Sequence, residues 1–149
     1  MSLLKIIGYT VAAIPLFHIP LILFGAPIFD KFFETFILST FLSILSVSPI
    51  IFTTNGQQST IQELIFDFTP STKSQYHTLR SSIGVIIGAW LGAFVIPLDW
   101  DRWWQEWPLP CLFFGFAGFV FGLCESFIEL QITPPSKRRE KYSKNEKLL

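Results

Sequence analysis

From Ile6 to Phe29 the chain runs for 24 residues without a single charge. That exceeds the roughly 20 residues a helix needs to cross a hydrocarbon core about 30 Å thick. Backbone polar groups have no water to bond inside lipid, so a lone apolar segment of this length must satisfy them as a helix. Lys5 ahead of an apolar core also resembles a signal peptide, but the core is too long and no A-x-A-like cleavage site closes it. The segment is therefore read as a retained helix. Pro15 and Pro20 inside it predict a kink, and His18 between them predicts a hydrogen bond to a neighbouring helix, with a proton relay as the alternative.

Three more apolar runs follow, and together they predict an all-α, polytopic membrane protein of about four transmembrane helices. The spans fall near 6–24, 32–52, 79–96 and 109–132, a bundle over 1–132 followed by a basic tail over 133–149. Half the residues are hydrophobic, 15% are charged and mean hydropathy is +0.48, which excludes an ordinary water-soluble domain. Ser39, Thr40, Ser43, Ser46 and Ser48 give the second run a small polar stripe. Gly84, Gly88 and Gly92 recur every four residues in the third, beside Ala89 and Ala93, and Gly115, Gly118 and Gly122 mark the fourth. Small residues at such spacing form grooves into which another backbone fits. The fourth run is the expected neighbour of the third; that one groove serves the bundle and the other an external partner stays open, since sequence alone does not assign them. Residues 53–78 read as a hydrophilic connection with a short amphipathic helix at IQELIFDF, and His77 as a solvated loop residue.

Between the last two runs, IPLDWDRWWQEWP packs four of the five tryptophans. With Asp99 as N-cap, Leu98 and Trp103 take the positions of a hydrophobic staple, and Pro108 and Pro110 stop the helix. Trp100, Trp103, Trp104 and Trp107 then share one face of a short interfacial helix, with Arg102, Gln105 and Glu106 opposite. Such a face fits the membrane–water boundary, either as an aromatic belt that sets depth or as a docking ridge for a partner or a lipid-linked substrate.

Charge gives the orientation. Lys5, Lys73, Arg80 and the six tail cations fall on one side of a four-span arrangement, and only Lys31 and Arg102 on the other. Both termini are predicted cytoplasmic, with the tryptophan stretch and the FGAP turn on the opposite face. Asp30, Glu34, Asp99, Asp101 and Glu106 gather there, but without histidine or cysteine they are not read as a metal site. Glu34 is read either as a polar contact to a partner or as stabilising the helix dipole. Glu125 and Glu129, four apart on one face, are read as interfacial carboxylates paired with tail cations, over a proton or substrate path. Cys111 and Cys124 lie 13 residues apart on one predicted helix, too far to bridge, and belong to no metal motif. No cofactor and no nucleic acid is implied.

FGAPIFDKFFETF together with GAWLGAFVIPLDWDRWWQEWPLP resembles the PIG-F family, small endoplasmic-reticulum membrane subunits of the enzymes that add ethanolamine phosphate to glycosylphosphatidylinositol (GPI) anchors. The likeness covers roughly residues 19–122, and the IPLDWDR…WQ.WP block is its specific part. It implies a non-catalytic, stabilising subunit of larger polytopic transferases, PIG-O-like and PIG-G-like, in the endoplasmic-reticulum membrane with the tryptophan loop lumenal. The family-motif positions carried over are Gly25, Ala26, Pro27, Glu34, Thr35, Gly88, Ala89, Trp90, Gly92, Ala93, Pro97, Asp99, Trp100, Asp101, Arg102, Trp104, Gln105, Trp107 and Pro108. With Gly84 added from the glycine spacing, Gly25, Pro27, Glu34, Gly88, Gly92, Pro97, Asp99, Trp100, Asp101, Arg102, Trp104 and Trp107 are the interface candidates. Family chains carry further hydrophobic segments before FGAP, which implies a shortened form or an incomplete chain here. Two other readings stay open from the residues alone: a small intramembrane enzyme using Asp99, Asp101 or Glu106 on a lipid headgroup, and a lipid or ion conductor using Glu34, Glu125 and Glu129.

Overall fold

The structure, a computed structural model, describes residues 3–23, 25–26, 29–98 and 100–132. Its described residues are helical or irregular, without strand. In chain order they form α1 (Leu3–Leu23), α2 (Phe32–Leu42), a π-helical stretch (Ser43–Val47), α3 (Ser48–Thr53), α4 (Gln58–Ile65), α5 (Lys73–Ala93), one 3-10 turn (Trp103–Gln105) and α6 (Leu109–Ile132). Three helical segments are long and apolar enough to cross a membrane: Leu3–Leu23, Phe32–Thr53 and Leu109–Ile132. The basic tail lies outside the described residues.

Gly25 stops α1. Its φ of +102° is open to glycine without strain, its N–H bonds Ile22 O, and the Ala26 N–H reaches back to Leu21 O, both at 3.0 Å. This is the Schellman arrangement, which satisfies two carbonyls that the helix end would orphan. The chain turns here and α2 packs back on α1. The π stretch sits where Pro49 needs it. A proline ring clashes with the carbonyl four residues earlier, here Leu45, and the widened turn at Ser43–Val47 makes room.

The serine stripe is helix glue. Ser39, Ser43 and Ser46 are all buried. Ser43 Oγ donates to Thr10 O on α1, while Ser82 Oγ on α5 donates to Ser46 O at 2.9 Å. His18 Nδ1 lies 3.5 Å from Ser39 Oγ, the outer limit of the helix–helix bond expected of it, and its ring meets Phe32 edge-on.

The tightest seam joins α5 to α6, which run antiparallel. A Cβ placed on Gly84 would fall 2.1 Å from Gly118 O, on Gly88 2.1 Å from Phe114 O, and on Gly92 2.5 Å from Pro110 O. From the other side, a Cβ on Gly118 would meet Gly84 O at 2.1 Å and one on Gly122 would meet Arg80 O at 2.4 Å. Gly84, Gly88 and Gly92 therefore pack on α6, and Gly118 and Gly122 on α5, the pairing expected of the third and fourth runs, while Gly115 faces the Phe41 ring. Backbone contact at this distance needs a missing Cβ on each helix. Leu38, Leu42, Val85, Ala89 and Cys111 form the core where α2, α5 and α6 meet.

Helix α5 also starts earlier than expected. Thr72 caps it: Gln75 N–H donates to Thr72 Oγ1 at 3.2 Å and Thr72 N–H donates to Gln75 Oε1 at 3.3 Å, a capping box. His77 therefore stands on a helix rather than in a solvated loop. Its Nδ1 lies 2.7 Å from Ser126 Oγ on α6, and its ring packs on Phe127.

Candidate functional site

The tryptophan stretch does not form the helix its spacing predicts. Asp101 has φ +48° and Arg102 is extended, so helical geometry is limited to Trp103–Gln105. Four indoles consequently do not share a face. Trp100 and Trp103 are exposed, at 55% and 75%, with Trp100 edge-on to Trp104. Trp107 turns inward, and its Nε1–H donates to Thr35 Oγ1 of α2 at 3.0 Å.

Gln105, expected on the polar outer face, is instead buried and holds the turn together. Its Nε2 donates to Val95 O at 2.9 Å and to Leu98 O, and its Oε1 accepts from Arg102 N–H at 3.3 Å. Each of those carbonyls also accepts a backbone N–H, Val95 O from Leu98 at 3.2 Å and Leu98 O from Trp100 at 2.8 Å, so the Gln105 amide adds a second bond to a turn already closed by its own backbone.

Below this turn lies an apolar cavity of about 520 Å³. Phe17, Leu21 and Gly25–Ala26 close it from α1, Leu38 and Leu42 from α2, Ala89, Trp90 and Ala93 from α5, with Ile96–Pro97 and Trp107 above. Above it, a cleft of about 460 Å³ is lined by Asp101, Arg102, Trp103, Gln105 and Glu106. Ile96 and Pro97 line both. Lys31 Nζ stands 3.8 Å from Glu106, an exposed pair that ties the α1–α2 turn to the cleft at little energetic gain.

Of the residues singled out from sequence, Gly25, Pro97 and Trp107 meet at the cavity, while Asp101 and Arg102 meet at the cleft. Gly84, Gly88 and Gly92 go to the α5–α6 seam. Glu34 lies partly buried in the first turn of α2, Trp100 is at the rim, and Trp104 is partly buried beside it. Pro27 and Asp99 lie outside the described residues. Among the described residues, no three His, Cys, Asp or Glu side chains are grouped to hold a metal.

At the far end of α5 and α6, Glu125 and Glu129 pair with Arg80 at 3.6 and 3.1 Å; the tail cations expected as their partners lie outside the described residues. Tyr76 OH also donates to Glu129. Sequence reasoning missed this cluster because it left residues 73–78 in a loop. The T-x-x-Q of a capping box at Thr72–Gln75 was the signal that could have found it.

Among the described residues the fold is all-helical, with three helices long and apolar enough to cross a membrane and a polar turn set against an apolar cavity, the class of a small helical membrane protein. The chain belongs to the PIG-F family, since the model of the GPI biosynthesis protein family Pig-F matches residues 1–127. It is 38% identical over 102 residues to the glycosylphosphatidylinositol anchor biosynthesis protein 11 of Yarrowia lipolytica, covering 68% of this chain and 44% of that one. It is 37% identical over 109 residues to the mouse GPI ethanolamine phosphate transferase, stabilizing subunit, covering 72% of this chain and 49% of that one. The human protein of the same name is 35% identical over 108 residues, 72% of this chain and 49% of that one. The chain thus spans about half the length, or less, of these relatives. No solved structure matches it.

Proposed function

We propose that this protein is a non-catalytic accessory subunit that stabilises GPI ethanolamine phosphate transferases in the endoplasmic-reticulum membrane. The observation that carries the reading is the identity with two relatives named as the stabilizing subunit of that transferase. Supporting it, family-motif residues serve packing and shape: Gly88 and Gly92 bring backbones together, and Gln105 and Trp107 pin the turn to the bundle. Its partners are large polytopic transferase subunits, PIG-O-like and PIG-G-like, which supply the chemistry.

In this reading α5 is the fourth crossing. Gly84, Gly88 and Gly92 hold it against α6, itself apolar enough to span, so the two enter the bilayer together. Both termini are cytoplasmic and the tryptophan turn is lumenal. The conductor reading loses support, because Glu125 and Glu129 are engaged by Arg80 at one end of α6 while Trp107 keeps the start of α2, and Glu34 with it, at the other. Sixteen residues of helix, roughly 24 Å, separate Leu109 from Glu125.

Affinity purification of the tagged chain from mild detergent, followed by mass spectrometry, tests the proposal. A large membrane transferase should co-purify, and its abundance should fall when this chain is deleted. Recovery of the chain alone, with turnover of lipid by the isolated protein, would sink it.

A further inference from the structure

The cavity and the cleft differ sharply in chemistry yet share a wall. Below Ile96 and Pro97 the lining is hydrocarbon and indole; above them stand one guanidinium and two carboxylates, from Arg102, Asp101 and Glu106. A volume near 520 Å³ lies within the roughly 300–1,000 Å³ typical of small-molecule sites. A partner helix does not fit: at about 10 Å across it would use that volume in about one turn. An extended hydrocarbon chain does.

The entrance is lateral. Helix α1 packs on α2, the π stretch and α3, and α5 packs on α6, but α1 and α5 face each other across the cavity with little direct packing. Ile86, Trp90 and Pro97 on the α5 side and Pro20 and Gly25 on the α1 side are exposed at this gap. Exposed indoles at Trp100 and Trp103 mark the membrane–water boundary beside the cleft, so the cavity beneath lies at acyl-chain depth.

We propose that the cavity and the cleft are one site that seats a membrane phospholipid, a single acyl chain lying between α1 and α5 and the headgroup phosphate meeting Arg102 above Ile96 and Pro97. Asp101 and Glu106, the latter paired with Lys31, line the same cleft and meet the cationic or hydroxyl-bearing end of the headgroup. The inference goes beyond the subunit reading and stands without it.

The full chain, purified in mild detergent, is reconstituted in phosphatidylcholine vesicles doped with phosphatidylcholine bearing a terminal diazirine on one acyl chain, irradiated, and its adducts mapped by mass spectrometry. Adducts should concentrate several-fold on the partly exposed cavity residues Phe17, Leu21 and Trp107 over the outward residues Val120 and Phe121. Ala93→Phe, which fills the cavity, should remove that enrichment, and Ile86→Trp, which narrows the exposed mouth without touching the buried core, should do the same if Ala93→Phe fails to fold. A diacylglycerol probe with the same labelled chain should label several-fold less, and Arg102→Gln should erase the phospholipid's advantage. Adducts spread evenly over exposed apolar residues, or enrichment that survives Ile86→Trp, overturn the cavity as the chain's seat. Equal labelling by the two probes in the unaltered chain overturns the headgroup assignment. Loss of transferase co-purification with normal labelling would count against the subunit reading alone.

Discussion

The indole N–H of Trp107 and the hydroxyl of Thr35, 72 residues apart, meet at 3.0 Å, and Thr35 passes the contact on by donating to Lys31 O at 2.9 Å. One short chain of hydrogen bonds therefore joins the tryptophan turn to the first turn of α2 and closes the roof of the cavity. Thr35 is fully buried, so its hydroxyl is not free to bond water instead.

Trp107→Phe and Thr35→Val should each destabilise the protein by about 0.5–1.5 kcal/mol, the net value of one such bond. Their effects should not add, because either substitution breaks the same contact. A double-mutant cycle on unfolding in mixed micelles checks this, and strict additivity would show that the contact carries no energy.

Gly88→Leu should wreck the α5–α6 seam, since its Cβ would sit 2.1 Å from the Phe114 carbonyl and neither backbone can yield. The cost should exceed the ~1–3 kcal/mol of ordinary overpacking. Gly8→Leu, with nothing within 4 Å, is the internal control and should leave the fold untouched. Steady-state abundance and thermal unfolding in detergent read both.

Trp100→Ala should separate binding from folding. The side chain is 55% exposed and touches only the edge of Trp104 among aromatic neighbours, so stability should stay within about 0.5 kcal/mol. Co-purification of the transferase should fall, because an interfacial anchor on the rim is lost. Normal recovery of the partner would remove this rim from the proposed interface.

Arg80→Met should be more harmful than Glu125→Gln. Arg80 serves Glu125, Glu129 and the Tyr76 hydroxyl, and removing it leaves two carboxylates one turn apart on α6. The Arg80–Glu125 pair is about a third exposed on each side, so neutralising Glu125 should cost no more than ~1 kcal/mol. Detergent unfolding of the two variants side by side decides it, and equal losses would argue against a shared cluster.

The apolar runs and the small-residue spacing were legible because each depends on local composition. An uncharged run of 24 residues has few alternatives to a helix in lipid, and glycines at intervals of four face one way on any helix. The tryptophan turn was misread for an equally local reason. Its spacing fits a helical face, but a left-handed Asp101 and the side-chain bonds of Gln105 to Val95 and Leu98 override that pattern. Periodicity cannot register a buried amide that ties a non-helical turn together.

The sequence by itself determined that this chain is a set of apolar helices with close-packing faces and a polar, indole-rich turn. Only the tertiary structure decided the particular contacts: that Gly84 meets Gly118 and Gly88 meets Phe114, that Arg80 reaches both glutamates, and that Trp107 turns inward while Trp100 and Trp103 stay out. The physical reason is that a helical face fixes direction, whereas a contact needs a partner. Partners such as Thr35 for Trp107 lie tens of residues away, where no periodicity reaches.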